Sequence, residues 1–143
     1  MIAELGIFFL ILTFALSSLS IFSTFFTKFS LISPCQIKIS RLTFFCTSLS
    51  FLMLTICFVS SDFSLNIVEK NSNSQLPIIY KVTGVWGNHE GSILLWLLVM
   101  TFFAFLFSYQ KNVESNLRRK TLTIQNFLIF LISTFIIFTS NPF

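Results

Sequence analysis

The stretch GVWGNHEGSILLWLLVMTFFAFLFSY, residues 84–109, changes character at one point. Up to Gly91 it is a polar, turn-forming sequence that holds the chain's only histidine, and from Ser92 to Tyr109 it carries no charge. A helix rising about 1.5 Å per residue needs roughly 20 residues to cross a hydrocarbon core of about 30 Å. Ser92 to Tyr109 therefore reads as a membrane span entered from a polar loop. Three more windows, Leu5 to Thr27, Leu42 to Ser60 and Leu122 to Thr139, are as apolar and also lack charge. With 55% hydrophobic residues, 10% charged residues and a mean hydropathy of +0.87, the chain cannot furnish an ordinary water-facing surface. The expectation is an all-α membrane protein: a single membrane domain over residues 1–143, with four transmembrane helices and a long outer loop between helices two and three.

The opening MIAELGIFFLILTFALSS lacks the basic start of a secretory signal, and its apolar run exceeds the usual ~7–15 residues, so it reads as a retained first span. Phenylalanine, 21 residues in all, is spread through the first, third and fourth windows in company with much Ile, Ser, Asn and Lys. That mixture reads as AT-biased coding of the kind found in organellar genes rather than as a specialised aromatic surface. Cys35, Cys46 and Cys57 recur every eleven residues, which returns a helix to nearly the same face. Positions three turns apart are too distant for a disulfide, so they read as buried small apolar residues.

Loop charge gives an orientation. Lys28, Lys38 and Arg41 lie between the first two windows, and Lys111, Glu114, Arg118, Arg119 and Lys120 between the last two. The intervening loop holds Asp62, Glu69, Lys70, Lys81 and Glu90, and the amino terminus only Glu4. The positive-inside rule then places both basic loops in the cytoplasm or matrix, with the central loop and both termini on the opposite side. The net charge of +4 follows from these loops, and no basic and aromatic interleaving suggests nucleic acid. The spans have no charged residue to mark an ion path and no Gly- or Pro-broken helix pair, which argues against a channel or transporter.

Within the central loop, Asn88 suits a helix N-cap and Glu90 the positive end of the helix dipole. His89, Ser92 and Trp96 fall at i, i+3 and i+7, with Trp86 one turn earlier, so one helix face collects an imidazole, a hydroxyl and an indole. Interfacial tryptophans and capping residues explain part of this cluster. For His89, axial haem ligation and a hydrogen-bonded structural or proton-relay role both stand open. Its imidazole could bond Glu90 or a haem propionate, with Trp86 and Trp96 packed beside it.

The signature WGNHEGSILLWLL, together with ELGIFFLILTFALS, DFSLNIVEKNSNSQLPIIYKVTGVWGNHEGS and TSNPF, these last three in this order and spacing, resembles CcmF, the haem-lyase subunit of the type I cytochrome c maturation system. The resemblance covers essentially the whole chain, and the loop motif is its specific part. It implies a membrane machine that receives haem from a covalent haem chaperone and helps attach it to the CxxCH thiols of apocytochrome c, on the outer face of an energy-transducing membrane. Family members are several hundred residues long and carry further on a tryptophan-rich WGGxWxWD segment and haem-ligating histidines. This chain has neither, and one histidine cannot give a haem two axial imidazoles. The resemblance thus implies the amino-terminal fragment of a split, mitochondrially encoded form, a multi-pass protein of the mitochondrial inner membrane, with haem bound mainly by companion chains. Trp86, His89, Glu90 and Trp96 are then haem-proximal or partner-docking residues, with no catalytic group and no metal ligand. The partners implied are the other lyase fragments, the haem chaperone, apocytochrome c and the lipid bilayer. The competing reading is a structural subunit of a respiratory complex. In either case the Ser-, Thr- and Cys-rich helix faces are expected to need covering by the rest of a larger bundle.

Overall fold

The computed structural model describes residues 1–26 and 33–143. It is an all-α membrane protein in which α1 (Ile2–Phe26), α2 (Ser33–Val59), α5 (His89–Ser108) and α6 (Ser115–Thr139) are long and apolar enough to span a bilayer. Two short helices, α3 (Asn66–Asn71) and α4 (Ile78–Gly84), lie between α2 and α5. The long helices pack in the cyclic order α1, α2, α5, α6, and α2 also touches α6 across the bundle.

The helices outrun the apolar windows. α2 starts at Ser33, so Lys38 and Arg41, read from the sequence as loop, are helical. α6 starts at Ser115 and takes in Arg118, Arg119 and Lys120. A helix continues through the headgroup region as readily as through hydrocarbon, since its backbone bonds are internal, and long cationic side chains reach back to water. Lys28 and the expected end of the first span at Thr27 lie outside the described residues.

Each long helix buries a stripe along its length, broadened on α2 by Ile39, Cys46 and Phe58. On α1 it runs Gly6, Leu10, Thr13, Ser17, Ser20; on α2, Gln36, Ser40, Thr43, Thr47, Ser50, Leu54, Cys57; on α6, Leu122, Asn126, Ile129, Ser133, Ile136. The alternating steps of four and three give the 3.5-residue repeat of helices packed at a shallow left-handed angle. The stripes are rich in small hydroxyl residues, while Phe8, Phe22, Phe45, Phe103 and Phe138 point outward. This corrects the expectation that the Ser- and Thr-rich faces await a cover from elsewhere: the four helices cover one another's. Against lipid, which is as apolar as leucine, close approach of small residues and interhelical hydrogen bonds hold helices together. Cys46 and Cys57 are buried on the same side of α2 as small apolar residues, whereas Cys35 is exposed, and all three are free thiols.

No hydroxyl in these stripes is left to hydrocarbon. Thr43, Thr47, Ser17 and Ser133 bond carbonyls three or four residues back at 2.8–3.0 Å. Across helices, Thr13 and Thr47 share a hydrogen bond of 3.3 Å, and Ser50 Oγ donates to the Gly6 carbonyl at 2.9 Å. Near the end away from α3 and α4, Asn126 of α6 joins three helices. Its Nδ2 lies 2.9 Å from Ser20 Oγ, 3.2 Å from Gln36 Oε1 and 3.2 Å from Ser40 Oγ, sharing its two N–H donors among these acceptors. Gln36 Nε2 in turn donates to the Ser20 carbonyl at 3.0 Å and to Thr24 Oγ1 at 3.2 Å.

Interhelical bonds of this kind contribute about 0.6 kcal/mol each on average, up to roughly 1.7. Asn126→Leu should therefore lower unfolding free energy in detergent by about 2 kcal/mol. Phe127→Leu, on the outward face next to it, should stay within about 0.5 kcal/mol of the wild type. Reversible denaturation followed by circular dichroism measures both, and equal effects would remove the special weight given to Asn126.

Candidate functional site

The loop end is built on the way α2 stops. Ser61 takes a left-handed backbone (φ 53°), and the Asp62 amide returns to the Cys57 carbonyl at 3.0 Å, closing the helix. Asp62 then accepts bonds from the Ser64 hydroxyl at 2.6 Å and the Ser64 amide at 3.2 Å, which hold its carboxyl below the usual carboxylate range. The Lys81 ammonium of α4 is buried and donates to Ser61 Oγ, beside the negative end of the α2 dipole. Leu65, Ile67, Val68 and Val85 bury themselves with Phe58 beneath α3 and α4, so the central loop is a packed cap.

The WGNHEG turn leads from this cap into α5, with Asn88 as its clamp. Asn88 Oδ1 accepts from the Gly91 amide at 2.7 Å, the N-cap bond read from the sequence. Its Nδ2 donates backward to the carbonyls of Gly84 at 2.8 Å and Val85 at 3.2 Å. Gly91 is required for a different reason: a Cβ there would stand 1.7 Å from the Val85 carbonyl oxygen. Two of the motif's residues are thus accounted for by local geometry.

The other motif residues diverge. Trp86 is half exposed on the turn, His89 is exposed at the first position of α5, and Trp96 is 67% exposed two turns along the same outward face. Ser92, half-buried between them, spends its hydroxyl on the His89 carbonyl at 3.2 Å. The face that collects imidazole, hydroxyl and indole does form, but it turns away from the four-helix core. The His89 imidazole has no hydrogen bond among the described residues, to Glu90 or otherwise, and the Trp86 and Trp96 rings do not pair with each other. Consecutive helical residues diverge by about 100°, which carries the Glu90 carboxylate away from the imidazole.

Glu90 lines a different feature, a polar hollow of about 280 Å³ shared with Asn66, Lys70, Asn71, Asn141 and Phe143. The carboxyl-terminal SNPF closes this hollow, and the Phe143 ring lies so close over α1 that a Cβ on Gly6 would sit 2.1 Å from it. Sequence reasoning missed this closure; the available signal was one glycine interrupting the apolar run of the first span.

Cytochrome c-type biogenesis protein CycK of Rhizobium meliloti is 45% identical over 101 residues, which cover 70% of this chain and 15% of that protein. NrfE of Haemophilus influenzae, also a cytochrome c-type biogenesis protein, is 36% identical over 149 residues, covering 100% of this chain and 23% of its own length. The chain belongs to the CcmF family. A solved structure described as Cytochrome c Heme Lyase CcmF has the same fold over 100% of the chain, with a TM-score of 0.91 at 23% identity, and the match takes up 25% of that structure. No protein-family model matches the chain. It spans between 15% and 23% of the length of these CcmF-family relatives.

These placements separate the motif's residues by the effect of changing them. Asn88→Ala loses an N-cap worth about 1 kcal/mol and leaves two carbonyls without their amide donor, for a total of about 2 kcal/mol. Gly91→Ala collides with backbone and should cost more. His89→Ala should leave thermal stability in detergent within about 0.5 kcal/mol. A His89→Ala loss as large as that of Asn88→Ala would place the imidazole in the fold rather than on a free surface.

Proposed function

We propose that the chain, acting as one membrane domain over residues 1–143, is the amino-terminal subunit of a split cytochrome c haem lyase and assists covalent haem attachment to apocytochrome c. The observation that carries this reading is the likeness of the whole chain to a quarter of a CcmF haem lyase. Because the chain carries a single histidine, and no cluster of three His, Cys, Asp or Glu side chains occurs among the described residues, its own donor set does not fit a bis-imidazole haem site. Haem ligation therefore falls to companion chains, the other fragments of the lyase. In this reading His89 and Trp96, with Trp86 on the adjoining turn, form a docking face turned toward those chains. Glu90 shapes the neighbouring hollow at the same membrane boundary. The haem chaperone and apocytochrome c approach from the side of the central loop.

The organellar character of the composition favours the mitochondrial inner membrane as the site of this work. The helical arrangement supports one feature of the orientation, since α3, α4, the start of α1 and the end of α6 share one end of the bundle, opposite Arg41, Arg118 and Lys120. With the basic end in the matrix, the cap and both termini face the intermembrane space.

Affinity purification of the tagged chain from its own membrane should bring down lyase fragments and a reduced-haem absorption band. Recovery of respiratory-complex subunits in their place would overturn the assignment. His89→Ala should lower the yield of holocytochrome c and leave that haem band unchanged. Loss of the band would make His89 a ligand, and an unaltered yield would remove it from the docking face.

Protease added to the outer side of intact inner membranes should cut in the exposed segment 73–77 between α3 and α4, sparing 111–120. The reverse pattern would invert the orientation.

A further inference from the structure

At the opposite end of the bundle the structure assembles a cationic site that the haem-lyase reading does not use. Arg41 lies in the third turn of α2, and its Nε donates to Ser108 Oγ at 3.0 Å. Its guanidinium carbon lies 3.8 Å from the centroid of the Tyr109 ring. Ser108 is the last residue of α5 and Tyr109 its C-cap, so the end of one span fixes a cation on another. The terminal nitrogens of Arg41 meet no acceptor among the described residues. One hydrogen bond and one stacking contact thus hold the planar fork with its remaining donors free, the arrangement that suits two oxygens of a phosphate. Lys38, exposed one turn earlier at i−3, adds a second positive charge. Arg41 is half-buried and makes no ion pair among the described residues.

An apolar groove of about 310 Å³ adjoins it on the same seam, lined by Phe44 and Ser48 of α2 and by Leu98, Val99 and Phe102 of α5. Phe44 and Ser48 follow Arg41 at i+3 and i+7, while Phe102 and Leu98 precede Tyr109 by seven and eleven residues. Phe105 bridges the two parts, with ring centroids 5.2 Å from Tyr109 and 4.7 Å from Phe44. The charge-free window starts at Leu42, so Arg41 stands at the edge of the hydrocarbon, at headgroup depth.

We propose that the α2–α5 seam binds an anionic phospholipid, its phosphate held by Arg41 and Lys38 and one acyl chain lying in the groove over the paired Phe44 and Phe102 rings, whose centroids are 5.6 Å apart. The site offers a fixed cation and a contiguous apolar trough, and a molecule that satisfies both joins an anion to an alkyl chain. Free phosphate would meet the guanidinium and leave the groove unfilled. A zwitterionic lipid would bring its own cation against Lys38, whereas a net negative headgroup is drawn to basic residues at the membrane surface.

The test is lipid binding by the full chain in mild detergent, read by native mass spectrometry with phosphatidylglycerol, phosphatidylcholine and inorganic phosphate as probes. The wild type should retain one phosphatidylglycerol in clear preference to phosphatidylcholine. Arg41→Gln should weaken that binding by about tenfold or more, and Ser48→Phe, which fills the groove and leaves Arg41 in place, should weaken it comparably. Arg118→Gln, at the same end but on α6, should have no effect. Equal binding of phosphatidylcholine, unchanged binding by Ser48→Phe or Arg41→Gln, or phosphate competing at the lipid's own concentration would overturn the proposal. Melting in the same detergent without added lipid identifies any variant that fails to fold. Should Arg41→Gln fail, Ser48→Phe and the exposed Lys38→Gln decide the matter.

Discussion

A carboxamide fully buried between helices has no water to fall back on, and at Asn126 that constraint sets the register of the bundle. Its amide reaches Ser20 on α1 and Gln36 and Ser40 on α2, so α1, α2 and α6 must come together at one level and in one rotation for these contacts to be made together. The Thr13 and Thr47 contact and the Ser50 bond to Gly6 repeat the requirement nearer the loop end. Leucine against leucine would distinguish poorly between a bundle and four separate helices in lipid; these polar contacts make the distinction. Among the described residues the aromatic side chains other than Phe58 lie outside the fully buried stripes, where their size does not hold the helices apart.

The loop end depends on this bundle in turn. α3 and α4 are too short to stand alone, and they persist because Val68, Val85 and Phe58 are buried together over the end of α2. Lys81 is tolerated there because Ser61 and the end of the α2 dipole receive its charge. The WGNHEG turn thus does two kinds of work. Asn88 and Gly91 lock the turn, and Trp86, His89 and Trp96 are left on the surface, where any recognition must occur.

The spans were legible because length and absence of charge are properties of the chain itself, and Asn88 declared its cap through a local, one-turn rule. Boundaries were not, since Lys38, Arg41 and the Arg118 to Lys120 run obey the charge pattern of loops while the backbone stays helical. The inward direction of the hydroxyl stripes was also hidden: a narrow seam of Ser and Thr on an apolar helix suits burial against any neighbour, and only the fold says which. At the site, spacing correctly put His89, Ser92 and Trp96 on one face, but helical spacing cannot say whether that face looks in or out. The Gly6 and Phe143 contact joins the two extremes of the sequence, beyond the reach of any periodicity.

The contact of Gly91 with the Val85 carbonyl has a mechanical meaning. With no side chain between them and Asn88 bonded on both sides, the turn has no slack to absorb a displacement. α4 and α5 are therefore joined directly, backbone to backbone, with Asn88 tying the end of one to the start of the other. The joint that most resembles a flexible glycine hinge in the sequence is thus closed by backbone contact and by Asn88 on both sides.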